Sequence, residues 1–126
     1  MKRIFIIMAL LPTVVLADDA DLAATFAECS VIYEMGSIIV GKDSDEGEVL
    51  HLTSNGAMMA CLYFADKHGL KANPYCSNRA EASVSSLSIL LRRDTPTFIS
   101  KFNACDDLSD VQGAANTALL KRAYAK

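Results

Sequence analysis

Cysteine, serine, histidine and a knot of carboxylates are the side chains in this 126-residue sequence that could do chemistry. Cys29, Cys61, Cys76 and Cys105 follow one another at gaps of 32, 15 and 29 residues. A redox dithiol wants the low-pKa pair of a C-x-x-C motif, and a zinc knuckle wants the same close spacing. Neither is present, and His51 and His68 stand in ligand spacing with no cysteine. An even number of well-separated cysteines suits two disulfides instead. Ser83, Ser85, Ser86 and Ser88 crowd one short stretch. A nucleophilic serine needs a base beside it, and the sequence has no G-x-S-x-G elbow.

Asp43, Asp45, Glu46 and Glu48 form the densest charged cluster. Asp43, Asp45 and Gly47 imitate the first half of a calcium loop, but the twelfth residue from Asp43 is Ser54, where an EF-hand needs Glu. A glycosidase pair would need an enclosing cleft with stacking aromatics, and the chain has no Trp. The cluster reads as an exposed, solvated turn that caps the next helix and can face a basic partner surface. These four acids are therefore the candidate partner-binding residues. His51 and His68 lie 17 positions apart, roughly 25 Å along a helix, and cannot share a ligand. Arg92, Arg93 and Lys101 suit helix C-termini or an acidic partner. Met35, Met58, Met59, Tyr33, Tyr63 and Phe64 read as core before they read as an adaptable binding face. No catalytic residue, cofactor site or metal site emerges, and the chain is not expected to be an enzyme.

The elements that position these residues begin after a leader. Met1-Lys2-Arg3 is a basic start, Ile4 to Leu11 an apolar run, Pro12 a breaker, and Val15-x-Ala17 a small-residue exit. That pattern predicts a signal peptide over 1–17, cleaved near Ala17–Asp18. The 14 residues from Ile4 to Ala17 fall short of the about 20 that a membrane span needs. Removing the leader 1–17 leaves 18–126 as a single helical domain with ten basic and fifteen acidic residues, a net charge of −5. Such a product has no electrostatic footprint for nucleic acid or an anionic membrane. The expected location is the periplasm, or secretion beyond it, with no stable membrane insertion once the leader is gone.

Helical periodicity fills the rest, which predicts an all-α bundle of four to five helices. Asp18, Asp19 and Asp21 suit a helix N-terminus, and Phe26, Cys29, Tyr33 and Gly36 give the first helix, Leu22 to Val40, a stripe. Gly41 ends it. A second helix is expected from about Glu48 to Lys67, burying Val49, Leu52, Gly56, Met59 or Ala60, and Tyr63, with Lys67-His68-Gly69 as its stop. After a loop from Leu70 to Tyr75, a third runs from Pro74 or Ser77 to Arg93 on a ridge of Ala80, Val84, Leu87 and Leu91. Thr95 is the expected cap of the fourth, with Pro96 at its first position and Phe98, Ile99, Phe102 and Cys105 facing inward. Ser109 and Gln112 form a capping box for a fifth, ending near Tyr124.

Short loops make neighbouring helices antiparallel. A first turn centred on 43–45 brings Cys29 near Cys61, which favours Cys29–Cys61 with Cys76–Cys105. The runner-up is Cys29–Cys105 with Cys61–Cys76. Two bridges matter to a domain of this size, whose core alone leaves only a few kcal/mol after chain entropy.

With a leader followed by a short disulfide-stapled helical domain, the chain resembles the exported immunity proteins that guard the periplasm against cell-wall amidase effectors of type VI secretion. It is similar in size and layout, too, to small exported proteins of plasmid conjugation regions. The first resemblance implies an inhibitor or immunity protein that binds a protein partner. The second implies an accessory or cell-killing product of a transfer system. A third class, an unrecognised envelope hydrolase, would require a buried acid beside a nucleophile. A homodimer is compatible with all of these.

Overall fold

A computed structural model describes residues 18–125; the leader and its cleavage point lie outside the described residues. Those residues form five α-helices and no strand: α1 Asp19–Val40, α2 Asp45–Lys67, α3 Ala72–Arg93, α4 Thr95–Asp106 and α5 Ser109–Tyr124. The protein is an all-α bundle closed by two disulfides.

α1 is the central helix. Asp18 caps it by accepting from the Asp21 backbone N–H at 2.8 Å. Ala23, Phe26, Ala27, Cys29, Ile32, Tyr33 and Gly36 are buried along it, against α2, α3 and α4. It is the one described helix long and apolar enough to cross a membrane, but half of its apolar window is buried inside the bundle. Full burial of Phe26, and likewise of Ile32 and of Leu87 on α3, contributes roughly 1.5–3 kcal/mol each.

The α1–α2 hairpin is held by small residues. Ser37 Oγ donates to the Gly47 carbonyl and Ser54 Oγ to the Ser30 carbonyl, each at 2.7 Å and each buried. Both pairs are symmetric about position 42, which defines one antiparallel register. A Cβ at Gly47 would run into the carbonyl oxygen of Gly41, so only glycine lets the chain re-enter so closely. The buried face of α2 is accordingly Gly47, Ser54, Ala57, Ala60, Cys61, Phe64 and Ala65. Val49 and Leu52, expected inside, are 61% and 60% exposed. The small residues win the interface because they bring two backbones together and satisfy the serine hydroxyls there.

The same register corrects the favoured disulfide pairing. Symmetry about 42 puts Cys29 opposite position 55, six residues short of Cys61, or about 9 Å along the helix. Cys29 bonds Cys105 on α4 instead, and Cys61 bonds Cys76 across the α2–α3 turn. Loops of 76 and 15 residues are closed, which in the chain-entropy picture stabilises by about 4–5 and about 3 kcal/mol.

The starts of α2 to α5 differ from the expected ones, with a competing side-chain cap at two of them, α2 and α4. Ser44 caps α2, accepting from the Gly47 N–H at 3.0 Å, so the helix starts at Asp45, three residues before the expected Glu48. α3 starts at Ala72 with Pro74 inside its first turn, where its missing N–H costs nothing. Asp94, not Thr95, caps α4, its carboxylate accepting from the Thr97 hydroxyl at 2.7 Å and from the Thr97 N–H at 3.3 Å. The capping box at α5 does not form: Ser109 is already helical, Leu108 stands at the cap, and Gln112 Nε2 donates to the Thr53 carbonyl on α2. Gly69, with φ of 86°, and His68 end α2 at the expected place.

Ile99 is exposed on α4, whereas Phe98 and Cys105 are buried. Val84 and Ile89 are likewise exposed on α3, leaving Leu87 as its buried anchor. Tyr33 and Phe64 lie in the core, with Met35, Met58 and Tyr63 packed against it.

Candidate functional site

The four acids singled out in the sequence gather where α1 turns into α2. Gly41, with φ of 98°, ends α1. Ser44 Oγ donates to the Gly41 carbonyl at 2.6 Å and fixes the turn. Asp43 lies in that turn, while Asp45, Glu46 and Glu48 lie in the first turn of α2. There they meet the positive end of the helix dipole, which favours them as anions without burying them. All four are exposed. Among the described residues the ion pairs are Lys42–Glu34, His51–Glu34, Lys101–Glu28 and Arg122–Asp66. None of them uses an acid of the cluster.

Beside the acids opens an apolar groove of about 550 Å³, lined by Val40, Asp45, Glu46, Val49, Leu50 and Phe102. Leu50 and Phe102 are half-buried against the core and form its base. Val40 and Val49 are exposed. Ile38 and Ile39, 60% and 59% exposed, lie on another side of α1, beside Ser88, Leu91 and Arg92 of α3. A second shallow groove of about 460 Å³ runs between α1 and α3 past Met35, Ile38 and Val84. The end of the α1–α2 hairpin is thus apolar on its flanks and acidic at its tip.

Glu34 organises one flank. Its Oε2 receives Lys42 Nζ at 2.9 Å and its Oε1 sits 2.8 Å from His51 Nδ1. The Lys42 contact, then the His51 contact, holds the Glu34 carboxyl below its ordinary range. Residues 34 and 51 are nearly symmetric about 42, so the register that aligns the serines also brings these two together. Sequence reading gave Glu34 no role, because a two-helix register had first to be fixed.

A second polar contact lies one residue earlier on α1. Tyr33 Oη donates to Asp106 Oδ1 at 2.7 Å, and the ring meets Phe102 edge-on with centroids 5.2 Å apart. Burial raises the Tyr33 pKa far above that of free tyrosine, and the Asp106 carboxylate adds to the rise through its hydrogen bond and charge. The phenol is held as a neutral donor that locks α4 on α1 beside Cys29–Cys105.

The remaining candidates separate. His68 caps the end of α2, far along the helix from His51. Ser83 and Ser86 turn their hydroxyls back on carbonyls of their own helix. Ser54, the twelfth residue from Asp43, bonds Ser30. Among the described residues no group of three metal-ligating side chains converges. The geometry at the hairpin tip can hold an apolar side chain in the groove while acids at the rim attract a cation. No family model matches the chain, and neither a curated protein nor a solved structure matches it.

Proposed function

We propose that this is an exported helical protein that acts by binding a protein partner, in the manner of an inhibitor or immunity protein, through the end of the α1–α2 hairpin. The observation that carries the reading is an apolar groove left open beside four unpaired carboxylates. A fold this small gains by burying Val40, Val49 and Leu52, yet all three stay in water. Contiguous exposed apolar surface rimmed by polar groups is the usual mark of an interaction site. Both disulfides are buried, which fits an oxidising compartment and an apolar leader.

Site-specific photo-crosslinking in the native host tests this. A crosslinker in place of Val49 should give one discrete protein adduct in the envelope fraction, and one in place of His68 should give none. A Val49 probe that yields no adduct, with the protein abundant and its cysteines oxidised, counts against the reading.

A further inference from the structure

One outward stripe of α2 is covered along part of its length and bare along the rest. Asp45, Glu48, Val49, Leu52, Gly56, Met59 and Tyr63 recur at three and four residues, so they lie on one side of the helix. α5 lies across the C-terminal part. The side-chain ends of Gln112 and Asn116 lie over Gly56, 2.7 Å and 3.1 Å from where a Cβ would stand. Gln112 binds the Thr53 carbonyl. Arg122 then closes the contact: its guanidinium lies 5.3 Å from the Tyr63 ring centroid and its Nη1 2.7 Å from Asp66 Oδ2. The α2 stripe therefore takes a helix by offering it a close-approach surface and an acid that receives its cation.

The N-terminal part keeps the acids, replaces the small-residue contact with an apolar groove, and has no occupant. Val49 and Leu52 supply the apolar surface, the groove between Val40 and Phe102 supplies depth, and Asp45, Glu46 and Glu48 supply acids with no cation. We infer that this half docks an amphipathic, cationic helix of the partner, its apolar side chains in the groove and its Lys or Arg side chains over Asp45, Glu46 and Glu48. The inference rests on the protein-binding reading and adds the chemistry of what is bound. A second copy fits poorly, because a two-fold contact at this face would set the same acids against one another. A lipid surface would have to desolvate those acids without an opposing charge.

The test uses the oxidised protein and a synthetic helical peptide with leucines at three- and four-residue spacing flanked by lysines, beside an analogue with glutamates for the lysines. Fluorescence anisotropy should show the lysine peptide binding, and binding more weakly as salt is raised. Asp45→Lys with Glu46→Lys should weaken it several-fold to about tenfold. Val49→Ser with Leu52→Ser should weaken it as well, with thermal stability unchanged. Equal binding of both peptides, no binding of either, or indifference to the charge reversal overturns the inference. So does self-association in sedimentation, or uptake onto phosphatidylcholine vesicles, if Val49→Ser abolishes it. A Val49 crosslink in the envelope alongside a lysine peptide that does not bind removes the cationic helix alone and leaves protein binding standing.

Discussion

The two halves of α2 begin from similar material and end differently. The C-terminal half carries Cys61, bonded to α3, and is overlain by α5 through Gly56, Tyr63 and Asp66. The N-terminal half meets α1 through Gly47, Ser54 and the Glu34 contacts, and leaves its outer face bare. One half is bonded and overlain, and the outer face of the other is open to water. Covalent closure and helix cover at one end allow the other to keep Val49 and Leu52 in water without unravelling.

The contrast can be broken most severely at the bridges. Replacing Cys29 and Cys105 by Ala should lower unfolding stability by about 4–5 kcal/mol, and replacing Cys61 and Cys76 by about 3 kcal/mol, because the loops closed are 76 and 15 residues. Denaturant titration of both double variants checks the order; a reversed order would mean that local packing outweighs loop entropy. Next comes the hairpin. Gly47→Ala forces Cβ onto the Gly41 carbonyl and should cost ~1–3 kcal/mol, whereas Gly113→Ala on α5, with open space around it, should gain roughly 0.5–1 kcal/mol. Thermal melts of the pair isolate close approach from helix propensity.

Tyr33→Phe removes the hydroxyl that joins α1 to α4 and should cost about 1 kcal/mol. Since the folded-state pKa of Tyr33 is raised, its contribution is complete below the ordinary value of 10.0 and is lost as pH rises above it. The wild-type advantage over Tyr33→Phe should therefore shrink in strong alkali. Glu34 has the opposite sign. Its folded-state pKa is lowered, so its contribution is present above the ordinary 4.5 and fades as pH falls through the folded value. Glu34→Gln should cost a few tenths to about 1 kcal/mol at neutral pH, as expected of partly exposed ion pairs, and the difference from wild type should close in acid. The smallest effect on folding belongs to the bare face: Val49→Ser should move stability by no more than about 0.5 kcal/mol. A larger loss would show that Val49 is part of the core and not of a docking surface.

The same contrast explains what the sequence made legible. Stop signals with local chemistry were readable: Gly41, Lys67-His68-Gly69 and Pro96 mark ends and starts within a residue or two. The all-α class followed from periodicity alone. Register was not readable. It depends on Ser30, Ser37, Gly47 and Ser54, residues that hydropathy ranks low, although a run of small residues on one face is the signal that tight helix packing leaves. With the register misplaced by a few positions Cys29 is matched to Cys61, and periodicity alone puts Val49 and Leu52 inside because it ranks the small-residue face lower. The acid cluster was found because charge density needs no register. Its groove was not, since Val40, Leu50 and Phe102 come from three helices.

The observed bridges are nested, Cys61–Cys76 lying wholly inside the ring that Cys29–Cys105 closes. If the chain is exported as proposed, its N-terminus leading, Cys29 and then Cys61 reach the oxidising side before Cys105. Joining the first two thiols to appear would trap the wrong isomer. For an exported chain, yield should then depend more on a disulfide isomerase than on the strength of the oxidant.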